Sequence, residues 1–189
     1  LYTCKSDSLA RKSCQTSLDS VLNIMVRLIA PILSFTAEEL WQTHESLRNQ
    51  EDSVFLTAYM QETLDQSQTI GNDDWKRVFE IKDLVNQSIE GLRNENKLKG
   101  SLDANVIISA DEKDNIIIDK LGDEIHFVFI SSKASVKPGK TLEISIENIN
   151  DKKCTRCWHR DSSSGQSKSH PEICLRCEKN IDSSGEVRY

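Results

Sequence analysis

No apolar run in these 189 residues approaches the roughly 18 to 20 needed to cross a bilayer, and a soluble chain is the expectation. A charged n-region followed by an apolar h-region is also missing. The first residue is Leu1 rather than a methionine, so the sequence reads as an excised or processed piece of something longer. Positive charge is in deficit: 24 Lys and Arg stand against 30 Asp and Glu, a net −6, with a pI near 5.3. An overall electrostatic attraction for nucleic acid is thereby excluded, although a local basic patch can still bind phosphate. Six cysteines would suit a secreted disulfide scaffold, but Cys4 and Cys14 lie far from the other four, which are paired at metal-ligand spacing. A reducing cytoplasm fits better. Apart from those two Cys-x-x-Cys pairs there is no internal repeat.

What is present begins with helices. From Asp7 to Ala30, Leu18, Val21, Leu22, Met25 and Ile29 recur at helical spacing, widened by Ile24 and Leu28, and predict a core-facing stripe. Pro31 should end or kink this helix. Thr36 and Glu39 have the form of a capping box opening a second helix that carries Leu40, Trp41 and Leu47. Residues 49–70 show no sustained period and read as a long connection, with "VFLTAYM" held to a core. Asn72 to Asp74 can cap a third helix with Val78, Ile81, Val85, Ile89 and Leu92 on one face, stopped by Gly100.

Beyond Gly100 the period is that of strands: "ANVIIS", "IHFVFIS" and "TLEISIEN". Between the first two, "DEKDNIIIDKLGD" fits a short helix, with a strand as the alternative for its Ile run. The segment reads as a small α/β unit. From Asp151 the composition turns polar and serine-rich, too poor in apolar surface to fold unaided.

Cys154, Cys157, Cys174 and Cys177 form C-x2-C-x16-C-x2-C, the pattern of a structural zinc site in which two short loops complete one tetrahedron. Metal binding would then supply the folding free energy the tail lacks. A redox Cys-x-x-Cys would need a thioredoxin-like βαβ context, which neither pair has. Four thiolates leave no open position for a catalytic water. Around them the tail is the basic end, with eight Lys and Arg against six acids from Asp151 to Tyr189. Those charges either neutralise the cluster or contact nucleic acid: Trp158 offers a stacking face or a packing surface, and Arg156 and Arg160 can reach phosphate or a base edge. His159 and His170 flank the pairs.

"RLIAPILSFTAEELWQ" (Arg27 to Gln42) resembles the helix-Pro-helix segment of the anticodon-binding domain in class I synthetases for Ile, Val, Leu and Met. Together with "KCTRCWHR" and "HPEICLRCEKNI", nearly the whole chain resembles the C-terminal region of a bacterial-type isoleucyl-tRNA synthetase. The resemblance implies an α+β fold: residues 1–71 the C-terminal part of a helical anticodon-binding domain, 72–150 a helix plus small α/β subdomain, and 151–189 a zinc-knuckle tail. It implies one structural Zn2+ on Cys154, Cys157, Cys174 and Cys177, and contacts to tRNA(Ile) through Arg156, Trp158, His159 and Arg160. It further implies a cytoplasmic, monomeric ligase that charges tRNA with isoleucine. ATP and Mg2+ would act only in a catalytic domain whose motifs this sequence lacks, so no catalytic residue is expected here. The stretch "RNENKLKGSLDA" (Arg93 to Ala104) keeps the basic helix end and the Ser-Leu-acid-Ala entry to the strand. Two other readings are a zinc-ribbon-like nucleic-acid-binding module of a DNA repair or transcription protein, similar to the zinc finger of formamidopyrimidine-DNA glycosylases, and a protein-interaction appendage.

Overall fold

A computed structural model describes residues 1–59 and 70–186. The end of "VFLTAYM" at Met60, most of the expected polar connection after it, and Arg188 of the basic tail lie outside the described residues. Two compact units are distinct, one holding the first three helices and the other holding everything from the fourth helix to the last.

In the first unit, α1 (Leu9–Ile29) starts at Ser8, whose Oγ accepts from the Arg11 N–H. It stops one residue before Ala30 and Pro31, as proline's missing N–H requires. α2 (Ser34–Thr43) and the single turn α3 (Glu45–Arg48) follow, and a 3-10 turn at Val54–Leu56 closes the unit. Its core is Val26, Ala30, Ala37, Trp41, Leu47 and Val54, with Leu22 and Ile29 packed alongside. The Trp41 Nε1–H donates to Glu51 O at 2.8 Å, and Glu38 accepts from Ser53 and from the Val54 N–H, which ties the returning chain to α2.

Two expectations for this unit need correction. Leu18, Val21, Met25 and Leu28 are exposed, each by more than half. The helix offers two apolar arcs, and the core uses the one through Leu22, Val26 and Ile29, where α2 and the Val54 turn pack. Thr36 and Glu39 form no capping box, because α2 already begins at Ser34; its N-cap is Leu33, without a side-chain cap.

In the second unit, α4 (Asn72–Asn94) buries Val78, Ile81, Val85 and Ile89 as their spacing predicts, and its N-terminus is held by Asp74, which accepts from the Gly71 N–H. It ends six residues before Gly100. Asn96 takes the left-handed conformation (φ 55°) that asparagine tolerates, and the Lys97 N–H turns back to Leu92 O.

The sheet order is β2-β1-β3, with β1 (Ala104–Ala110) parallel to β2 (Lys133–Pro138) and antiparallel to β3 (Glu143–Asn148). α5 (Glu112–Asp119), capped by Asp111, and the turn α6 (Ile125–Val128) lie between β1 and β2. The expected strand "IHFVFIS" is therefore helical. Ile125, Val128 and Phe129 stand at i, i+3 and i+4, and that spacing turns all three onto the core, where Phe129 is fully buried. The strand lies instead in "KASVKP", whose proline sits at the end of an edge strand where a missing N–H is tolerated.

Candidate metal centre and nucleic-acid interface

The tail is a short hairpin followed by a loop and a helix. Lys153 and Arg160 form an isolated antiparallel bridge, the Cys154 N–H donates to His159 O, and the Trp158 N–H donates to Cys154 O. These bonds curl Thr155 to Trp158 into a tight knuckle. The second pair opens α7 (Leu175–Asp182), with Cys174 as its N-cap and Cys177 inside its first turn. The serine-rich loop between them is ordered by side-chain bonds: Ser167 and Ser169 both donate to Glu178, and the Leu175 N–H donates to Ser163.

The four sulfurs of Cys154, Cys157, Cys174 and Cys177 all lie within 4.8 Å of one another. Cys154 to Cys177 and Cys157 to Cys174 are each 3.8 Å. A Zn–S bond of about 2.3 Å places tetrahedral sulfurs about 3.8 Å apart, whereas a disulfide closes to about 2.0 Å. Donor type and geometry both fit zinc. Contacts with Cys174 and then Cys177 hold the Cys157 thiol far below its ordinary range, helped by the His159 N–H and the Arg176 guanidinium. The same contact with Cys157 pushes Cys177 up, and Cys174 up to about 11. One thiolate is favoured at its neighbours' expense, and a bound cation is what would let all four ionise together.

The basic residues fall into two groups. Arg176 reaches the Cys157 sulfur and Arg156 the Cys177 sulfur, each crossing to the opposite pair, where their positive charge offsets the negative charge of the thiolates. Trp158 is 60% exposed. Its backbone is left-handed (φ 69°), a strained conformation for a large side chain. The indole N–H is fixed on Thr155 O at 3.1 Å, and the Lys153 ammonium sits 5.3 Å from the ring centroid. The result is a rigid aromatic face with the Lys153 cation on its flank.

His159 and Arg160 turn inward. The His159 ring lies 5.5 Å from Phe127 and 5.7 Å from His126 on α6, and the Arg176 guanidinium covers the Phe127 ring. Arg160 is ion-paired with Asp103 and donates to Asp151 O. His170 pairs with Asp182 and takes no part in the cluster. The cysteine spacing foretold the convergence of the four sulfurs; nothing in the sequence signalled the crossing of Arg156 and Arg176 or the docking of the tail on α6.

Residues 1–108 match the family described as the anticodon-binding domain of tRNA ligase, which is more than half of the sequence. The chain belongs to that family. Residues 151–180 match a second one, described as a zinc finger found in FPG and IleRS, which agrees with a structural zinc at the four cysteines. Over its whole length the chain is similar to isoleucine–tRNA ligases: 38% identical to that of Alcanivorax borkumensis and 41% to that of Coxiella burnetii, with 100% of this chain covered in both. Identity to the Pseudoalteromonas atlantica ligase is 42% with 99% covered. The chain spans about a fifth of the length of these relatives, 21% in each case.

Proposed function

We propose that this chain is the tRNA-recognising part of an isoleucine–tRNA ligase, and that it reads the anticodon loop of tRNA(Ile) with its zinc knuckle. The observation that carries the reading is the Cys154–Trp158 turn: a strained, immobilised and exposed tryptophan presented beside Lys153. Base stacking on such a face is worth about 1 to 3 kcal/mol and tolerates the splayed bases of a single-stranded loop.

Cys154, Cys157, Cys174 and Cys177 hold one Zn2+ in a closed shell, which gives the metal a structural and not a hydrolytic role. Arg156 and Trp158 contact the loop, with His159 and Arg160 behind them. In this reading residues 1–71 are the helical part that docks on the anticodon stem and loop, 72–150 the helix and small α/β subdomain, and 151–189 the zinc knuckle that reaches the anticodon from the other side. ATP, Mg2+ and the joining of isoleucine to tRNA belong to the remainder of the longer ligase, which acts as a cytoplasmic monomer.

The test compares binding of the zinc-loaded chain to an isoleucine anticodon stem-loop and to the same stem with a methionine anticodon, before and after chelation. Discrimination that vanishes with the metal supports the reading. Equal or undetectable binding removes it.

A further inference from the structure

The knuckle is useful as a reader only if its direction is fixed, and the segment that leads into it, residues 149–153, is polar and short of apolar anchors. Besides the Lys133–Asp151 ion pair and the packing of His159 and Arg176 on α6, one residue stands out as the tie. Arg160 donates its backbone N–H to Ser132 Oγ at 2.7 Å, its Nη1 to Asp151 O at 2.9 Å, and its Nε to the Asp103 carboxylate. These partners come from three segments at one end of the sheet. Asp103 immediately precedes β1, Ser132 immediately precedes the parallel β2, and Asp151 follows the antiparallel β3. Ser132 is itself anchored, its Oγ donating to Leu102 O and its N–H to Ala104 O. The Asp103 O accepts from the Ile149 N–H, so the same residue also fastens the exit of β3.

On the other side, Arg160 is the bridge partner of Lys153 at the base of the knuckle hairpin and lies two residues beyond Trp158. The Asp103 and Arg160 side chains are only 14% and 25% exposed. A charge-assisted pair this sheltered from water is stronger and stiffer than one on the open surface.

The geometry points to Arg160 as a positioning residue: through Asp103, Ser132 and Asp151 it clamps the zinc hairpin to the sheet and so sets where Trp158 and Arg156 face, without itself touching RNA. This rests on the proposed anticodon reading for its purpose, but the clamp is a property of the chain alone. The hairpin keeps its cysteine cluster with α7, its own hydrogen bonds and its contacts with α6 when the clamp is lost, so it is expected to stay folded with a looser orientation.

Asp103→Asn separates the clamp from a direct contact by sign. It removes a negative charge and leaves Arg160 in place. If Arg160 contacted phosphate, releasing it would tighten RNA binding; if Arg160 positions the knuckle, binding weakens.

The experiment uses the zinc-loaded 189-residue chain with Asp103→Asn and Arg160→Ala, measuring zinc content, amide exchange, and affinity for the isoleucine anticodon stem-loop at several salt concentrations. Both variants are expected to keep their zinc and to speed exchange at the Arg160 and Asp161 amides about tenfold or more, while the β1 amides stay protected. Affinity is expected to fall in both, roughly tenfold, with an unchanged salt slope. Unaltered exchange in Asp103→Asn, tighter binding by it, or a salt slope reduced by about one in Arg160→Ala would overturn the positioning role. If Arg160→Ala fails to fold, Asp103→Asn decides alone. If the parent chain binds no stem-loop, the anticodon reading fails while exchange still decides the clamp.

Discussion

Arg77 on α4 and Asp114 on α5 meet through two parallel hydrogen bonds, Nε to Oδ1 at 2.8 Å and Nη2 to Oδ2 at 2.7 Å. The Asp114 side chain is 6% exposed, and Glu80 braces the outer edge of the same guanidinium. The pair joins two helices whose apolar residues, Val78 and Ile118 among them, share one core, and a second ion pair links them where Lys120 at the end of α5 meets Asp74 of α4 at 2.6 Å. Removing one partner strands the other in a partly dry site, so Arg77→Met is expected to lower unfolding free energy by about 2 to 4 kcal/mol. Urea titration of the metal-loaded chain measures this.

The same pair carries a pH dependence. Hydrogen bonding from Arg77 holds the Asp114 carboxyl below the usual carboxylate range. A depressed pKa contributes stability that is present above the unfolded value of about 3.9 and is lost as pH falls through the lower folded value. The stability gap between the parent chain and Asp114→Asn is therefore expected to be full at pH 7 and to close below about pH 4. A gap that is constant from pH 7 to pH 3 would contradict it.

At the metal centre, Cys174→Ser removes one of four thiolates, and zinc is expected to leave. Amide protection should then collapse from about residue 151 onward while α4 and the sheet keep theirs. Unchanged metal content in this variant would break the four-cysteine assignment. Arg176→Gln acts more mildly, since it withdraws a cation from the Cys157 sulfur and from the Phe127 ring but removes no thiolate; zinc transfer to a chelator is expected to accelerate about tenfold.

Trp158 allows stability and binding to be pulled apart. Its left-handed backbone costs a non-glycine residue about 1 to 2 kcal/mol. Trp158→Gly should relieve that strain and leave zinc in place, yet weaken stem-loop binding by about 1 to 3 kcal/mol, as Trp158→Ala also should. Binding equal to the parent in both variants would remove the indole from the interface.

Where the sequence was legible, the signal was local. The α4 stripe from Val78 to Ile89, the alternation of β1 and β3, and the cysteine spacing each encode geometry within a few residues. α1 was legible as a helix but not in its facing, because both of its arcs are apolar and only the position of α2 decides between them. "IHFVFIS" failed because the apolar run from Phe127 to Ile130 has no period of its own, and β2 was hidden because Ala134 and Val136 are a thin alternation. The Asp103–Arg160 pair spans 57 residues and could not be read from spacing at all.

That clamp also makes the knuckle's direction conditional on the sheet. Asp103, Ser132 and Asp151 become neighbours only when both parallel and antiparallel ladders of β1 are complete. The knuckle, closed by its own metal and backbone bonds, needs no such partner and can mature as soon as its last cysteine is available. Orientation therefore depends on the completed sheet: without it, the knuckle could hold its zinc and still point its tryptophan nowhere in particular.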